Sequence, residues 1–490
     1  MSVPMLGIVS AIVGTTVAIC LVPDDPSPKG ALFYSGLVMA IGLAVAPAAG
    51  AYRDLKSIVR AEHVLVLAPI YWLLLDLLQK AYDLEQIGRA EVIKSFLAIG
   101  VFVSAVWVGV WHRPWRLPRS LQRATSYQVK PEVFFVLVIL SFVLGMLKFA
   151  YACDFSPMEM LTYLGSDRWS APWSRGALGG WDAFLDHTAY FGYLLPACAV
   201  VMANKSGWLS MRTLLTLLLA VIFALFIAQG GSRRNIGVMF GIALLLWMHT
   251  QRRLQTRNVA IVAACGVGLL FALQLILEYR NVGLAAVVDK ESEVEVQKVG
   301  YVHVDDNFYR LAQIVQLIPA SHPYTWFQYL AYVLVRPIPR VLWPGKPIGP
   351  GFDLAEALRM PGVSLSSSVM GELFVSGGFL AVLIGGWLYG RLASAGDSLI
   401  SAGTVGAQVA YCAWTMALFT GVRSMLDLVL FTYVILAWIG LVWLVRLLDP
   451  VAAAPVSSRA ARLGRLTARS RGYNGGVVRR PGRVARPAAR

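Results

Sequence analysis

The sequence predicts an all-α polytopic membrane protein of about twelve transmembrane helices, with both termini inside and one large folded loop outside. Three observations predict it. Of 490 residues, 57% are hydrophobic and only 14% charged, with a mean hydropathy of +0.63, whereas a soluble protein carries about 25% charged residues. Apolar runs recur along the chain, each close to the roughly 20 residues that cross a hydrocarbon layer as a helix. Lysine and arginine alternate in density between successive connections, as membrane topology requires. A soluble chain of roughly three domains, the reading from length alone, is excluded because too few charges remain to clothe it.

The predicted spans are 4–22, 31–51, 63–79, 92–111, 133–152, 184–203, 210–229, 235–250, 258–277, 369–390, 400–421 and 425–447. The first begins at Pro4 without the basic stretch of a cleavable signal, so it reads as a retained span. Arg113, Arg116, Arg119, Arg123 and Lys130, and the tail after Arg446, set the cytoplasmic side. The inside then carries 25 Lys and Arg against 5 Asp and Glu, and the outside 18 against 22, which together give the net +16. The pI of 9.8 is therefore a topogenic signal, with contact between the tail and anionic lipid rather than nucleic acid as its consequence. Residues 1–450 form the transmembrane domain. The tail, 451–490, alternates Arg with Ala, Gly and Pro and is expected to be disordered. Cys20, Cys153, Cys198, Cys265 and Cys412 are scattered and read as small core residues.

Cytoplasmic connections are short, while Cys153 to Ala183 and the loop 278–368 are long, so chemistry is expected on the outer face. The hairpin Gly230 to Asn235 holds Arg233 and Arg234 at the outer boundary, where a desolvated guanidinium needs an anion: a diphosphate, a lipid headgroup or an acidic side chain. Glu278 and Arg280, two residues apart, do not face each other on a helix. They read either as separate functional charges or as solvated span ends. His303, Asp305 and Asp306 combine an imidazole with adjacent carboxylates, a pattern suited to a general base, with solvated loop charge as the plain alternative. No second ligand cluster accompanies them, so no metal is expected. Asp24 and Asp25, between Pro23 and Pro26, read as a turn.

The prolines around Arg336 and Arg340 forbid regular helix. In polyproline geometry the two arginines stand about 12 Å apart on different faces, too far to grip one phosphate without a turn. Trp343 offers a flat face to a sugar ring or an anchor to the interface. Tyr324 to Val335 is too short to span and reads as an interfacial or re-entrant helix. Ser364 to Ser368 opens span ten with amides and hydroxyls that could receive a phosphate, and Glu372 in its first turn suits the helix dipole. Arg423 and Asp427, four apart, read as an intrahelical pair.

Three stretches taken together resemble the Wzy-type oligosaccharide repeat-unit polymerases: Asp306-Asn307-Phe308 through Ile318-Pro319; Ile338-Pro339-Arg340-Val341-Leu342-Trp343-Pro344-Gly345-Lys346-Pro347; and Ser366-Ser367-Ser368-Val369-Met370-Gly371-Glu372 on to Gly377-Gly378. With Gly231-Ser232-Arg233-Arg234, the resemblance covers about residues 225–395. It implies an inverting, GT-C-like glycosyltransferase without cofactor or metal, at the outer face of a bacterial inner membrane. Such an enzyme moves a growing glycan from its polyprenyl diphosphate onto a lipid-linked repeat unit of an O-antigen or exopolysaccharide. The implied partners are that lipid-linked substrate, membrane lipids, and a chain-length regulator and flippase of the same pathway.

The candidates for holding the diphosphate and glycan are Arg233, Arg234, Arg280, Arg336, Arg340, Lys346 and Arg423, with Trp343 a candidate for a sugar ring. The resemblance leaves the base open among His303, Asp305, Asp306, Glu278 and Glu372, or no side chain at all. The related O-antigen ligases use a histidine followed eleven residues on by glycine; here that position holds Ile314 after His303 and Val333 after His322. The alternatives are a ligase-like glycan transferase and a twelve-span transporter of glycan or lipid. Against the transporter stand the lack of an internal repeat and the position of Asp76 and Lys148 near outer span ends rather than at the midplane.

Overall fold

The computed structural model describes residues 2–112, 115–125, 130–174, 184–251, 253–279, 281, 283, 300–336, 338, 340–347, 349–360, 363, 365–401 and 403–448. The expectations for Arg280 and for the tail 451–490 lie outside them. The chain runs α1 (Val3–Cys20), α2 (Phe33–Arg53), α3 (Ala61–Leu78), α4 (Arg89–Trp111), α5 (Arg119–Thr125), α6 (Pro131–Ala152), α7 (Pro157–Leu164), α8 (Leu185–Gly192), α9 (Leu195–Ser206), α10 (Met211–Gln229), α11 (Arg233–Thr250), α12 (Thr256–Tyr279), α13 (Asn307–Leu317), α14 (Phe327–Val335), α15 (Leu354–Ala357), α16 (Ser368–Ile400), α17 (Val405–Gly421) and α18 (Met425–Leu448). No strand occurs among the described residues.

Nine helices among the described residues are long and apolar enough to cross a membrane: α1, α2, α3, α4, α6, α10, α12, α16 and α18. This is a polytopic membrane protein by helix length and composition. The other three predicted spans are helical but short, interrupted or more polar. The span at 184–203 is split into α8 and α9 at Tyr193 and Leu194, the one at 235–250 is α11, which opens on two arginines, and the one at 400–421 is α17, of 17 residues. Span ten also differs from its expected limits. A short arm, residues 368–376, ends at Gly377 and Gly378, and the uninterrupted helix runs on from 379 to 400. Gly378 has φ +63°, a conformation suited to glycine, and a Cβ there would lie 3.0 Å from the Tyr324 hydroxyl.

Helices meet along small residues, as expected where lipid offers no hydrophobic drive to association. Gly14 of α1 crosses Gly42 of α2, and an added Cβ on either would sit 2.8 Å from the other's Cα. Gly386 and Gly390 of α16 lie against the Phe102 and Val106 carbonyls of α4, and a Cβ on Gly390 would reach 2.1 Å from the Val106 oxygen. By contrast α12 buries only Asn258 and Leu273 and exposes Val267, Phe271 and Leu275, the pattern of a helix facing lipid.

Charged residues gather at two ends of the bundle. At one, Arg60 pairs with Glu62 (2.7 Å) and Asp397 (3.0 Å), while the Tyr411 hydroxyl accepts from the Ala61 N–H (2.8 Å), joining α3, α16 and α17. The other end holds the candidate site. The long loop packs α13 against the bundle at this end: it buries Phe308, Leu311, Ala312, Ile314 and Val315, and the Phe308 ring lies 4.8 Å from Phe96 of α4.

The α4–α16 seam yields a test. Gly390→Val forces a side chain into backbone that cannot yield, so it should cost about 1–3 kcal/mol or more and lower the unfolding temperature in detergent. Gly268→Val on α12, where nothing lies within 4 Å, should leave it nearly unchanged. Equal effects at the two positions would contradict the described seam.

Candidate functional site

Four helix N-termini converge at this end, those of α11, α13, α16 and α18, each carrying a partial positive charge. Arg233 and Arg234 are the first two residues of α11, after a turn in which Gly231 has φ +66°. Cations are unfavourable there, and carboxylates from distant segments compensate. Asp427, in the first turn of α18, accepts from Arg234 Nη1 (2.6 Å) and from Arg423 Nη1 (3.0 Å), and its side chain is only 2% exposed. Arg423 Nε reaches Asp305 (2.6 Å), whose other oxygen lies 3.6 Å from Arg233 Nη2, while Arg233 Nη1 donates to the His303 carbonyl (2.8 Å). The result is an alternating chain of three arginines and two aspartates. It joins α11, the turn before α18, α18 itself and the loop before α13.

That loop is fixed from beneath. Asp305 and Asp306 both have left-handed backbone, φ +60° and +51°, which Asp tolerates better than most residues. Asp76 at the end of α3 accepts from the Val304 N–H (3.3 Å). Gln79 accepts from the Val302 N–H (2.8 Å) and donates to the Val302 carbonyl (3.0 Å), while Asn307 Nδ2 donates to the Trp72 carbonyl (2.9 Å) within a π turn of α3. Asp306 lies 3.7 Å from His303 Nδ1 and 3.8 Å from Arg310.

Glu372 is buried in the short arm of α16, where its carboxylate accepts from the Ser424 hydroxyl and from the Met425 N–H, each at 2.6 Å. It caps α18 from across the site and so positions Arg423. The expectation that it serves the first turn of its own helix is corrected: Glu372 lies beyond that turn and caps the N-terminus of α18 instead. The Ser368 hydroxyl accepts from the Gly371 N–H (3.2 Å), and Val369 N–H donates to the Val422 carbonyl (2.9 Å), so the arm grips the Arg423 turn on both sides.

The remaining sequence-named residues stand differently. Lys346 donates to the Arg336 and Ile338 carbonyls (2.7 and 2.8 Å), and Arg340 to the Lys346 and Pro347 carbonyls (3.1 and 3.2 Å). These two cations close the proline-rich loop on itself. Burial and the neighbouring Arg336 and Arg340 charges lower the Lys346 pKa. Arg336 lies over the Tyr332 ring (5.7 Å), Trp343 is exposed, and Glu278 accepts from Gln274 one turn earlier on α12 (3.2 Å). Asp25 accepts from the Ser27 amide and hydroxyl (3.0 and 2.6 Å), closing the expected turn. Among the described residues no three His, Cys, Asp or Glu side chains converge as metal ligands. Sequence reasoning missed Asp76, Gln79, Asn307 and Ser424 as the anchors of the site. An acid near the end of an apolar run was the signal for the first.

Burial works to raise the Asp305 pKa, but Arg423 and Arg233 outweigh it and hold the carboxyl at about 2. Conversely, burial works to lower that of Arg423, and Asp305 and Asp427 raise it overall. Since the Asp305 pKa is depressed by folding, its stabilisation is complete above the ordinary carboxylate range of about 4 and fades as pH falls towards 2. Asp305→Asn should therefore flatten the drop in unfolding temperature between about pH 4 and pH 2; an unchanged acid profile would contradict the pairing.

Asp427→Asn leaves two guanidinium groups without their shared counter-charge and should cost about 3 kcal/mol at neutral pH in detergent unfolding. Combining it with Arg234→Met should restore part of that loss, and simple additivity of the two would contradict their coupling. No family model, curated protein or solved structure matches the chain.

Proposed function

We propose that the protein is a membrane-embedded glycosyltransferase, a polysaccharide polymerase that moves a glycan from polyprenyl diphosphate onto a lipid-linked repeat unit. The observation that carries this reading is the array of Arg233, Arg234 and Arg423, fixed by Asp305 and Asp427 where four helix N-termini meet. Forked donors held in position suit a group whose negative charge grows as its bond breaks. If the twelve spans run with both termini inside, the charge bias favours the outer face for this end, and the resemblance implies that the membrane is a bacterial inner one.

In the proposed reaction an acceptor hydroxyl loses its proton to a base and attacks the anomeric carbon from the face opposite the diphosphate. The diphosphate departs with the bonding electrons onto the arginines, and the anomeric centre inverts. Of the named bases, His303 fits best, because its imidazole can accept a proton and Asp306, 3.7 Å from its Nδ1, is placed to pair with the resulting cation. Glu372 fits a capping role instead, since both its oxygens are engaged with the α18 N-terminus.

The test is polymer length in cells whose own copy is deleted and replaced by variants. Arg233→Lys, Arg234→Lys and Arg423→Lys keep charge but lose the fork. Each properly folded variant should lose activity by on the order of 100-fold or more, leaving single repeat units in place of long chains. Normal chain length in all three would remove the arginine mechanism. His303→Ala at normal membrane abundance should also abolish lengthening if the imidazole is the base.

A further inference from the structure

A row of aromatic side chains runs away from the arginine array along α8 and α18. The Arg234 guanidinium carbon lies 5.9 Å from the Phe431 ring, Phe431 lies 6.3 Å from Tyr193, and Tyr193 lies 5.3 Å from Tyr190. Tyr190 stacks on Tyr433, centroids 5.4 Å apart at 17°, and the His187 ring closes the row 5.0 Å from Tyr433. His187 and Tyr190 are three residues apart and share a face of α8. Beside them Asp186 pairs with Lys148 (2.7 Å), which fixes α8 against α6.

This row is more polar than helix packing needs. Phenylalanine would pack as well, yet the half-buried positions of the row are His187, Tyr190 and Tyr433, each of which adds a polar edge to its flat ring. Two of its buried polar atoms, His187 Nδ1 and Arg234 Nε, have no hydrogen-bond partner in the protein. Flat faces combined with unfilled hydrogen-bonding edges, next to a cationic array, match a sugar ring. Its C–H face packs on an aromatic side chain while its hydroxyls satisfy imidazole, phenol and guanidinium.

We propose that His187, Tyr190 and Tyr433 form a pyranose-binding subsite, contiguous with Arg234, for a ring of the glycan substrate. This rests on the glycosyltransferase reading of the neighbouring array and deepens it by naming what lies beside the diphosphate.

The test uses full-length protein in lipid nanodiscs and two separate probes: inorganic diphosphate, and the free oligosaccharide of the host cell's repeat unit, released from its carrier by mild acid. Wild type should bind both. Tyr433→Leu and His187→Gln should weaken oligosaccharide binding at least tenfold while changing diphosphate binding less than twofold. Tyr190→Phe, which keeps the ring, should weaken the oligosaccharide less than either. If Tyr433→Leu lowers the unfolding temperature, His187→Gln decides alone, since it keeps the bulk of the side chain. Unaltered oligosaccharide binding in the variants, or none in wild type, overturns the subsite. Failure of wild type to bind diphosphate counts against the arginine array instead, and leaves the oligosaccharide measurement to judge the subsite by itself.

Discussion

The ion pair between Asp427 and Arg234 is the contact on which the candidate site depends. A guanidinium at a helix N-terminus opposes the dipole and, at a membrane boundary, is also partly stripped of water. Arg234 escapes both penalties only because α18 brings a buried carboxylate to 2.6 Å. Once Asp427 is there, Arg423 shares it, Asp305 must answer Arg423, and the loop before α13 is drawn onto the bundle. The end result is a row of guanidinium groups held in fixed orientations by carboxylates.

Support for that pair is layered. Glu372 caps α18 and fixes the turn carrying Arg423, and the arm bearing Glu372 is set apart from the rest of α16 by the break at Gly378. Asp76 and Gln79 hold the backbone of 302–304, so that the left-handed turn at Asp305 and Asp306 aims one carboxylate at the arginines and the other at His303 and Arg310. Glu372 and Asp76 sit on helices and Gln79 in the turn that closes α3, none of them on the loop they position. That is how a loop site gains rigidity.

Much of the bundle was legible because apolar runs are local signals. The ends of α1, α2, α4, α6 and α10 fall within a few residues of their predicted limits. The break in α16 was not legible, since glycine pairs are common inside membrane helices and nothing in the run marks an end. In the site, the Arg423–Asp427 pair could be read from its four-residue spacing. The second partner of Asp427, 193 residues away at Arg234, could not. Lys346 and Arg340 were read as phosphate ligands because their charge is visible in sequence, whereas the carbonyls they bind appear only when the proline-rich loop folds. The aromatic row from Phe431 to His187 was invisible for the same reason, being shared by two segments far apart in the chain.

Glycan transfer between lipid-linked units is the activity proposed for this array. The most direct measurement reconstitutes the purified protein in liposomes with polyprenyl-diphosphate-linked repeat unit as the only substrate, and follows both glycan length and freed polyprenyl diphosphate. The account predicts a ladder of integral repeat lengths, with one polyprenyl diphosphate released for each unit added. Folded protein that leaves the repeat unit at its starting length, or releases carrier without lengthening the glycan, would contradict it.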